Sequence, residues 1–358
     1  MFIPVSDKDW NGTMLLEAWL AYWLEEYVRP VVKPSTYESY RLACEAHLIP
    51  NLGKIPMKDL TSRTIQHFFN DHAKTGNAVT HGPLSAKTMR NLRVVLDVAL
   101  KQALAEDLIA SNPVPLTAIK SVHTKQLEIL TDDKQETLEQ YLFNTKSIYH
   151  PAILMAMYTG LRRGEICALR WKNYNEETHI LTVMETVRRL TNYDAKQGEP
   201  TTNLVFNDVK TDASSRDLLM PPILQEILHK QREDYTQKFR EPAPEDFIFY
   251  SRKGGILDPD NLQHYFSRLQ KKLGMEHVKF HALRHTFATR AIENGIDVST
   301  VSGILGHANV TTTTQFYVHP REKAMRHAMQ TISPIYQAEA RLVSSAAADV
   351  RSETTNAA

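Results

Sequence analysis

The chain has 358 residues, 42% of them apolar and 23% charged, with a formal net charge of +1; that is enough apolar material for real cores and more length than one ordinary domain needs. No run approaches the roughly 20 apolar residues of a membrane span, and the start MFIPVSDKDW lacks a basic stretch followed by an apolar one, so a soluble protein with no membrane partner is expected. The near-neutral charge gives no support to a polyanion binder beyond local basic surfaces, and the two cysteines, Cys44 and Cys167, exclude a disulfide framework by count and a zinc cluster by spacing.

From Met14 to about Asn112 the pattern is helical, with room for four helices. Leu15, Trp19, Trp23 and Tyr27 recur at every fourth position, and STYESYRLACEAHL carries a second apolar stripe. Starts are marked by Pro34-Ser35-Thr36, by Thr61 and by Leu84-Ser85; stops are marked by Pro50, Gly53, Gly76 and Pro113. Residues 1–112 therefore read as one helical domain. SNPVPLTAIKSVHTKQ has two prolines and little helical period, which makes 113–128 an extended linker.

The second domain, 129–332, opens with a helix over TDDKQETLEQYLFNT capped by Thr131, then a helix over YHPAILMAMYT ended by Gly160. A third is expected from about Arg163 to Trp171. The period then shortens to strand-like runs, ILTVMETV, NLVFNDV and RDLLMP, which predict a small antiparallel sheet. Helices resume at Pro221 and run to about Gln337. Residues 333–358 hold a short apolar helix, SPIYQAEARLV, followed by a tail rich in Ala, Ser and Thr. The fold class is mainly α with a small antiparallel β-sheet.

Five segments of the second domain carry candidate chemistry. In TGLRRGEICALRW, Arg162 follows a helix-ending glycine, and its planar fork suits two oxygens of an anion. Lys210, in VKTDASSRDLLMP, stands at a strand end, from where a lysine reaches into a cleft to deliver a proton. In FHALRHTFATR the core stripe is Leu283, Phe287 and Ala291, while His281 and Arg284, three apart, share another face. His281 and His285 also have the spacing of a metal pair, but no HExxH glutamate or suitably placed carboxylate accompanies them. In ILGHANVTTTTQFYVH, Gly306 ends a helix and presents His307, and Tyr317 follows ten residues later. A phenol is a poor nucleophile unless cations lower its pKa and a base takes its proton.

Taken in order, Arg, Lys after a strand, His-x-x-Arg, Gly-His and Tyr resemble the signature of the tyrosine recombinases, the phage integrase family, and the wording of the motifs is most similar to integrases of conjugative transposons and prophages. WLEEYVRPVVKPSTYESYRLACEAHLIPNLGKIPMKDLT is similar to the helical core-binding domain of these integrases. The resemblance implies a helical core-binding domain and an α+β catalytic domain acting on double-stranded attachment sites in the bacterial cytoplasm. It makes Arg162 and Arg284 clamps on the scissile phosphate, Lys210 the general acid, His281 the base, His307 a phosphate ligand, Tyr317 the nucleophile and Glu165 an orienting carboxylate. It implies no cofactor and no metal, because arginines and histidines supply the charge stabilisation that magnesium gives elsewhere. It further implies a monomer in solution that forms a homotetramer on DNA, accessory excision or host DNA-bending factors, and a C-terminal helix that docks on a neighbouring protomer. DNA contact in the first domain is expected from Lys33, Ser35 and Thr36 at a helix start and from Lys87, Arg90, Asn91 and Arg93 along another helix. Only about a dozen residues precede the first helix, whereas many relatives begin with a small arm-site-binding domain.

Three readings compete with this one. A dimer-resolving recombinase or a type IB topoisomerase-like enzyme keeps the chemistry, and a DNA-binding relative without activity loses it. A metal-dependent hydrolase on His281, His285, His307 and His319 needs carboxylates that the motifs do not supply.

Overall fold

The first helix, α1 (Leu16–Trp23), buries Leu16, Trp19, Leu20 and Trp23 and runs on through a π-helical turn at Leu24–Val28. Each buried indole withdraws roughly 150–250 Å² from water, so the tryptophan pair anchors this core; Trp19 also donates its Nε1–H to the Ala99 carbonyl at 3.0 Å. In the computed structural model the described residues are 13–77, 82–119, 128–208, 215–307, 309 and 313. Lys210, Tyr317, His319, residues 120–127 of the expected linker and the segment 333–358 lie outside them.

The backbone divides into two compact units, Met1–Lys125 with Leu190–Asn203, and Gln126–Arg189 with Leu204–Ala358. In the first, α2 (Pro34–Ala43) continues through a π turn at Cys44–Leu48 into α3 (Ile49–Leu52). Pro50 therefore does not stop the chain, contrary to the sequence reading. The Ile49 N–H reaches back to the Cys44 carbonyl, and Pro50 falls in the first turn of α3, where its missing donor costs nothing. Helices α4 (Ser62–Thr75) and α5 (Ala86–Ala105) start at Thr61 and Ser85, whose hydroxyls accept from the Thr64 and Thr88 amides. Leu92, Leu96, Ala99 and Leu100 of α5 close the core over α1 and α2.

The residues Leu190–Asn203 are a member of this unit that alternation could not assign. Tyr193 meets Tyr37 edge-on at 5.6 Å, and the Arg41 guanidinium lies 4.2 Å from the centre of its ring. Glu38 accepts from the Thr191 amide at 2.8 Å, and Asp194 pairs with Arg29.

In the second unit, α6 (Asp132–Asn144) begins after Thr131, but the threonine makes no side-chain capping bond, so Asp132 and Asp133 in the first turn complement the helix dipole instead. Helix α7 (His150–Thr159) is buried along most of its length and stops at Gly160. Helix α8 (Arg163–Ala168) is shorter than its sequence suggested. Leu169 and Arg170 turn extended, and Trp171 opens a 3-10 turn, because the backbone pairs elsewhere: Ile248 N–H donates to the Leu169 carbonyl, and Trp171 N–H to that of Asp246. Strands β1 (Tyr174–Asn175), β2 (Ile180–Val183) and β5 (Arg216–Leu219) form one antiparallel sheet in the order β1-β2-β5, with Val183 opposite Arg216 and Leu181 opposite Leu218. The run ILTVMETV splits at Met184, so β3 (Glu185–Thr191) pairs with β4 (Thr202–Asp208) in a second sheet. The fold is thus mainly helical, as expected, with the strands shared between two small sheets rather than one.

Helices α9 (Pro222–Lys238), α10 (Pro259–Lys272), α11 (His281–Glu293) and α12 (Val298–Leu305) follow in the described part of the unit. Helix α11 packs on α7 and α12, and α12 packs on β5. Cys44 and Cys167 are both buried, as expected of small apolar residues. Among the described residues no helix is long and apolar enough to cross a membrane.

Candidate active site

Two helices end in left-handed glycines, and the site is assembled around those ends. Gly160 closes α7 with φ 66°, and a Cβ there would lie 2.6 Å from both Leu305 and Phe287, so φ and packing both demand glycine. Gly306 closes α12 with φ 64°, against the guanidinium of Arg216. Arg284, the fourth residue of α11, is 2% exposed and bridges the two ends: one Nη donates to the Gly160 carbonyl at 2.9 Å, the other to the Leu305 carbonyl at 2.8 Å. A guanidinium has five N–H donors, so these two bonds fix its plane and leave capacity for an anion.

Arg162 stands at the start of α8. Glu165, one turn on and 2% exposed, accepts from the Arg162 amide at 2.9 Å and from its Nη1 at 2.7 Å. The carboxylate thus satisfies a helix-start donor and aims the Arg162 side chain at once. Arg162 remains partly open, with its other Nη 3.5 Å from the Gly306 carbonyl. Burial would raise the Glu165 carboxyl, but Arg216 and Arg162 together hold it below the usual carboxylate range.

His281 opens α11 and faces His285, their rings 4.5 Å apart edge to face. Desolvation, His285, Arg284 and Arg162 push the His281 imidazole down to about 4. His307 follows Gly306; desolvation first and then Arg284, Arg162 and Arg216 bring it to about 4 as well. Its Nδ1 is 2.8 Å from the hydroxyl of Thr313, a buried partner that orients the ring. Burial with Arg162 nearby draws the Arg284 guanidinium down to about 9, which keeps it charged at pH 7. The site therefore holds charged arginines beside two neutral imidazoles that are able to accept protons.

Of the residues singled out in the sequence, Arg162, Glu165, His281, Arg284 and His307 come together here, within electrostatic reach of one another. Two participants were missed, Arg216 and Thr313. The signal for Arg216 is period-two alternation: it shares the inner face of β5 with Leu218, where an arginine needs a buried counter-charge. Thr313 had only its place in a threonine run. Among the described residues no group of three metal-ligating side chains assembles.

In the first unit, Lys33 is the exposed residue before α2, with Ser35 and Thr36 partly exposed in its first turn. Lys87, Arg90 and Asn91 are exposed on α5 beside Val94 and Val98, one continuous helix face. Arg93 points differently, donating to the Thr117 hydroxyl at 3.3 Å and the Pro115 carbonyl at 3.4 Å.

The model of the Phage integrase family matches residues 128–324, and that of the phage integrase N-terminal SAM-like domain matches residues 15–72. A tyrosine recombinase XerC-like protein of Caldanaerobacter subterraneus subsp. tengcongensis is 28% identical over 335 residues, covering 88% of this chain and 81% of that one. The ICEBs1 integrase of Bacillus subtilis is 26% identical, covering 80% of this chain and 74% of its own length. In fold, the chain is similar to the Tn1549 transposon integrase solved with transposon right end DNA, with a TM-score of 0.71, 23% identity and coverage of 89% and 100%. It is also similar to a lambda integrase tetramer bound to a Holliday junction, with a TM-score of 0.64, 20% identity and coverage of 86% and 79%.

Proposed function

This chain belongs to the phage integrase family of tyrosine recombinases, and from that premise we propose that it integrates or excises a mobile element by cutting and rejoining double-stranded DNA through a 3′-phosphotyrosine on Tyr317. The observation that carries the reading is the convergence of Arg162, Arg284, His281 and His307 around the ends of α7 and α12, an anion site with two neutral bases. Arg162 and Arg284 clamp the non-bridging oxygens of the scissile phosphate, where charge builds as the phosphorus is attacked. The Tyr317 phenol attacks, its proton passes to His281, and the P–O5′ bond breaks as Lys210 protonates the leaving oxygen. The phosphotyrosine conserves the bond energy. A partner strand's 5′-hydroxyl then reverses the step without ATP, and a second exchange resolves the Holliday junction.

Residues 1–112 act as the core-binding domain, gripping DNA through Lys33, Ser35 and Thr36 and through the Lys87, Arg90 and Asn91 face of α5, with 113–128 as linker and 129–332 as catalytic domain. A monomer in the cytoplasm assembles as a tetramer on its sites, coupled by 333–358 and assisted by accessory factors. The test is a suicide duplex carrying the attachment site, once sequencing of the DNA that flanks the gene has located it, and nicked beside the cleavage point. Wild type is expected to become trapped on it in EDTA and Tyr317→Phe to stay free. Trapping that requires a divalent metal would contradict the reading.

A further inference from the structure

Glu165 poses an electrostatic problem. It lies 2.7 Å from a nitrogen of Arg162, the arginine expected to attract a phosphate, and is buried where water does not screen it. A lone carboxylate in such contact would turn the Arg162 cation into one end of a dipole and weaken its hold on any anion.

Arg216 is built to remove that penalty. It projects from β5 on the inner face, opposite Val183, with its side chain 7% exposed. Its Nε donates to the Ile304 carbonyl at 2.6 Å and its Nη2 to Glu165 Oε2 at 2.9 Å. Arg162 takes the other carboxylate oxygen, Oε1, with its Nη1. The two arginines thus divide the carboxylate between them, one buried and one partly open at 39% side-chain exposure. Gly306 completes the arrangement: a Cβ there would sit 2.8 Å from Arg216 Nη1, so the glycine that turns the chain also makes room for the guanidinium.

We propose that Arg216 is the dedicated counter-ion of Glu165, a positioning residue that lets the carboxylate aim Arg162 without cancelling its charge. This rests on the active-site reading above and deepens it. Among the described residues, three arginines, Arg162, Arg216 and Arg284, against one carboxylate leave the cluster a net charge of two positive, His281 and His307 being neutral. Removing Arg216 alone leaves one; removing Arg216 and the Glu165 charge together restores two. Its bonds to Ile304 and Glu165 direct the Arg216 guanidinium inward, so it acts through Arg162 rather than on the substrate.

That charge count separates a counter-ion from a simple brace. The experiment compares Arg216→Met, Glu165→Gln and the double variant by the rate of covalent trapping at saturating nicked duplex, by half-site affinity and by thermal melting. Arg216→Met is expected to trap about 10²-fold more slowly, in the range of one lost transition-state donor, with half-site affinity little changed. The double variant is expected to recover at least about tenfold over Arg216→Met, because the carboxylate is no longer uncompensated. A double variant as slow as Arg216→Met, or slower, overturns the proposal and leaves Arg216 as a brace. If Arg216→Met does not fold, the double variant is compared with Glu165→Gln. Rates within about tenfold of each other support the counter-ion role, and a further loss of about 10²-fold overturns it. Wild type that forms no covalent complex at all defeats the functional reading itself, a result distinct from either.

Discussion

The arginines around Gly160 and Gly306 and the cations along α5 differ in what holds them. Arg284 is pinned by two backbone carbonyls, and Arg162 and Arg216 share one buried carboxylate. Lys87 and Arg90 stand exposed on a helix face. The first group is placed by direction, the second by charge. Substitutions that keep charge and lose the planar fork should therefore damage the first and spare the second, while those that remove charge should show in the second as a change in salt dependence.

The largest expected effect is at Arg284. Arg284→Lys keeps a cation but cannot bridge the Gly160 and Leu305 carbonyls, so trapping should fall by about 10²–10³-fold while half-site affinity changes far less. The melting temperature should drop as well, because two carbonyls lose a buried donor. A wild-type rate for this variant would erase the distinction between the two groups. Arg162→Lys should lose about 10²-fold in rate with a smaller effect on stability, since Arg162 is the more open of the pair. Replacing both Lys87 and Arg90 by Ala should leave trapping at saturating DNA unchanged. The slope of log affinity against log salt should become shallower by about two units, near 0.9 per lost phosphate contact; an unchanged slope would move the contact surface off α5.

The histidines sharpen the picture from the pH side. His281 and His307 lie at about 4 in the folded protein, below the ordinary imidazole value of about 6.5. Their neutral state is thus favoured by folding. That contribution is complete above pH ~6.5 and is lost as pH falls toward about 4, the range in which the unfolded chain takes up protons first. Imidazole resonances of the free protein should show no protonation of either ring between pH 8 and about 5.5. Titration near pH 6.5 would mean that neither burial nor the neighbouring cations act on these rings. The smallest expected effect is Arg93→Ala. Because Arg93 bonds Thr117 and Pro115, it should cost roughly 1 kcal/mol or less of stability and leave the salt slope as it is.

How legible all this is in the sequence follows the same division. Arg162, His281, Arg284 and His307 were readable because local signals place them: glycines after helix ends and a three-residue spacing on one face; Glu165 came from the family resemblance alone. Arg216 was within reach of the same reasoning, since alternation turns it inward with Leu218, but a counter-charge from α8 is a long-range fact that no window of sequence contains. Pro50 was misread because the helix changes its hydrogen-bond step just before it. The placement of Leu190–Asn203 with the first unit depends on Tyr193 finding Tyr37 and Arg41; the strand pattern fixed which residues alternate and not what their tip would meet.

The central claim is that Tyr317 carries the covalent link to DNA, and peptide mapping of the trapped complex tests it most directly. Trypsin should release a peptide running from Ala291 to Arg321 in which Tyr317 is the only tyrosine, while Tyr336 falls in a separate peptide that ends at Arg341. Mass spectrometry is expected to find the nucleotide 3′-phosphate on the Ala291–Arg321 peptide. A nucleotide on the Tyr336 peptide, or attached through a 5′-phosphate, would contradict the account.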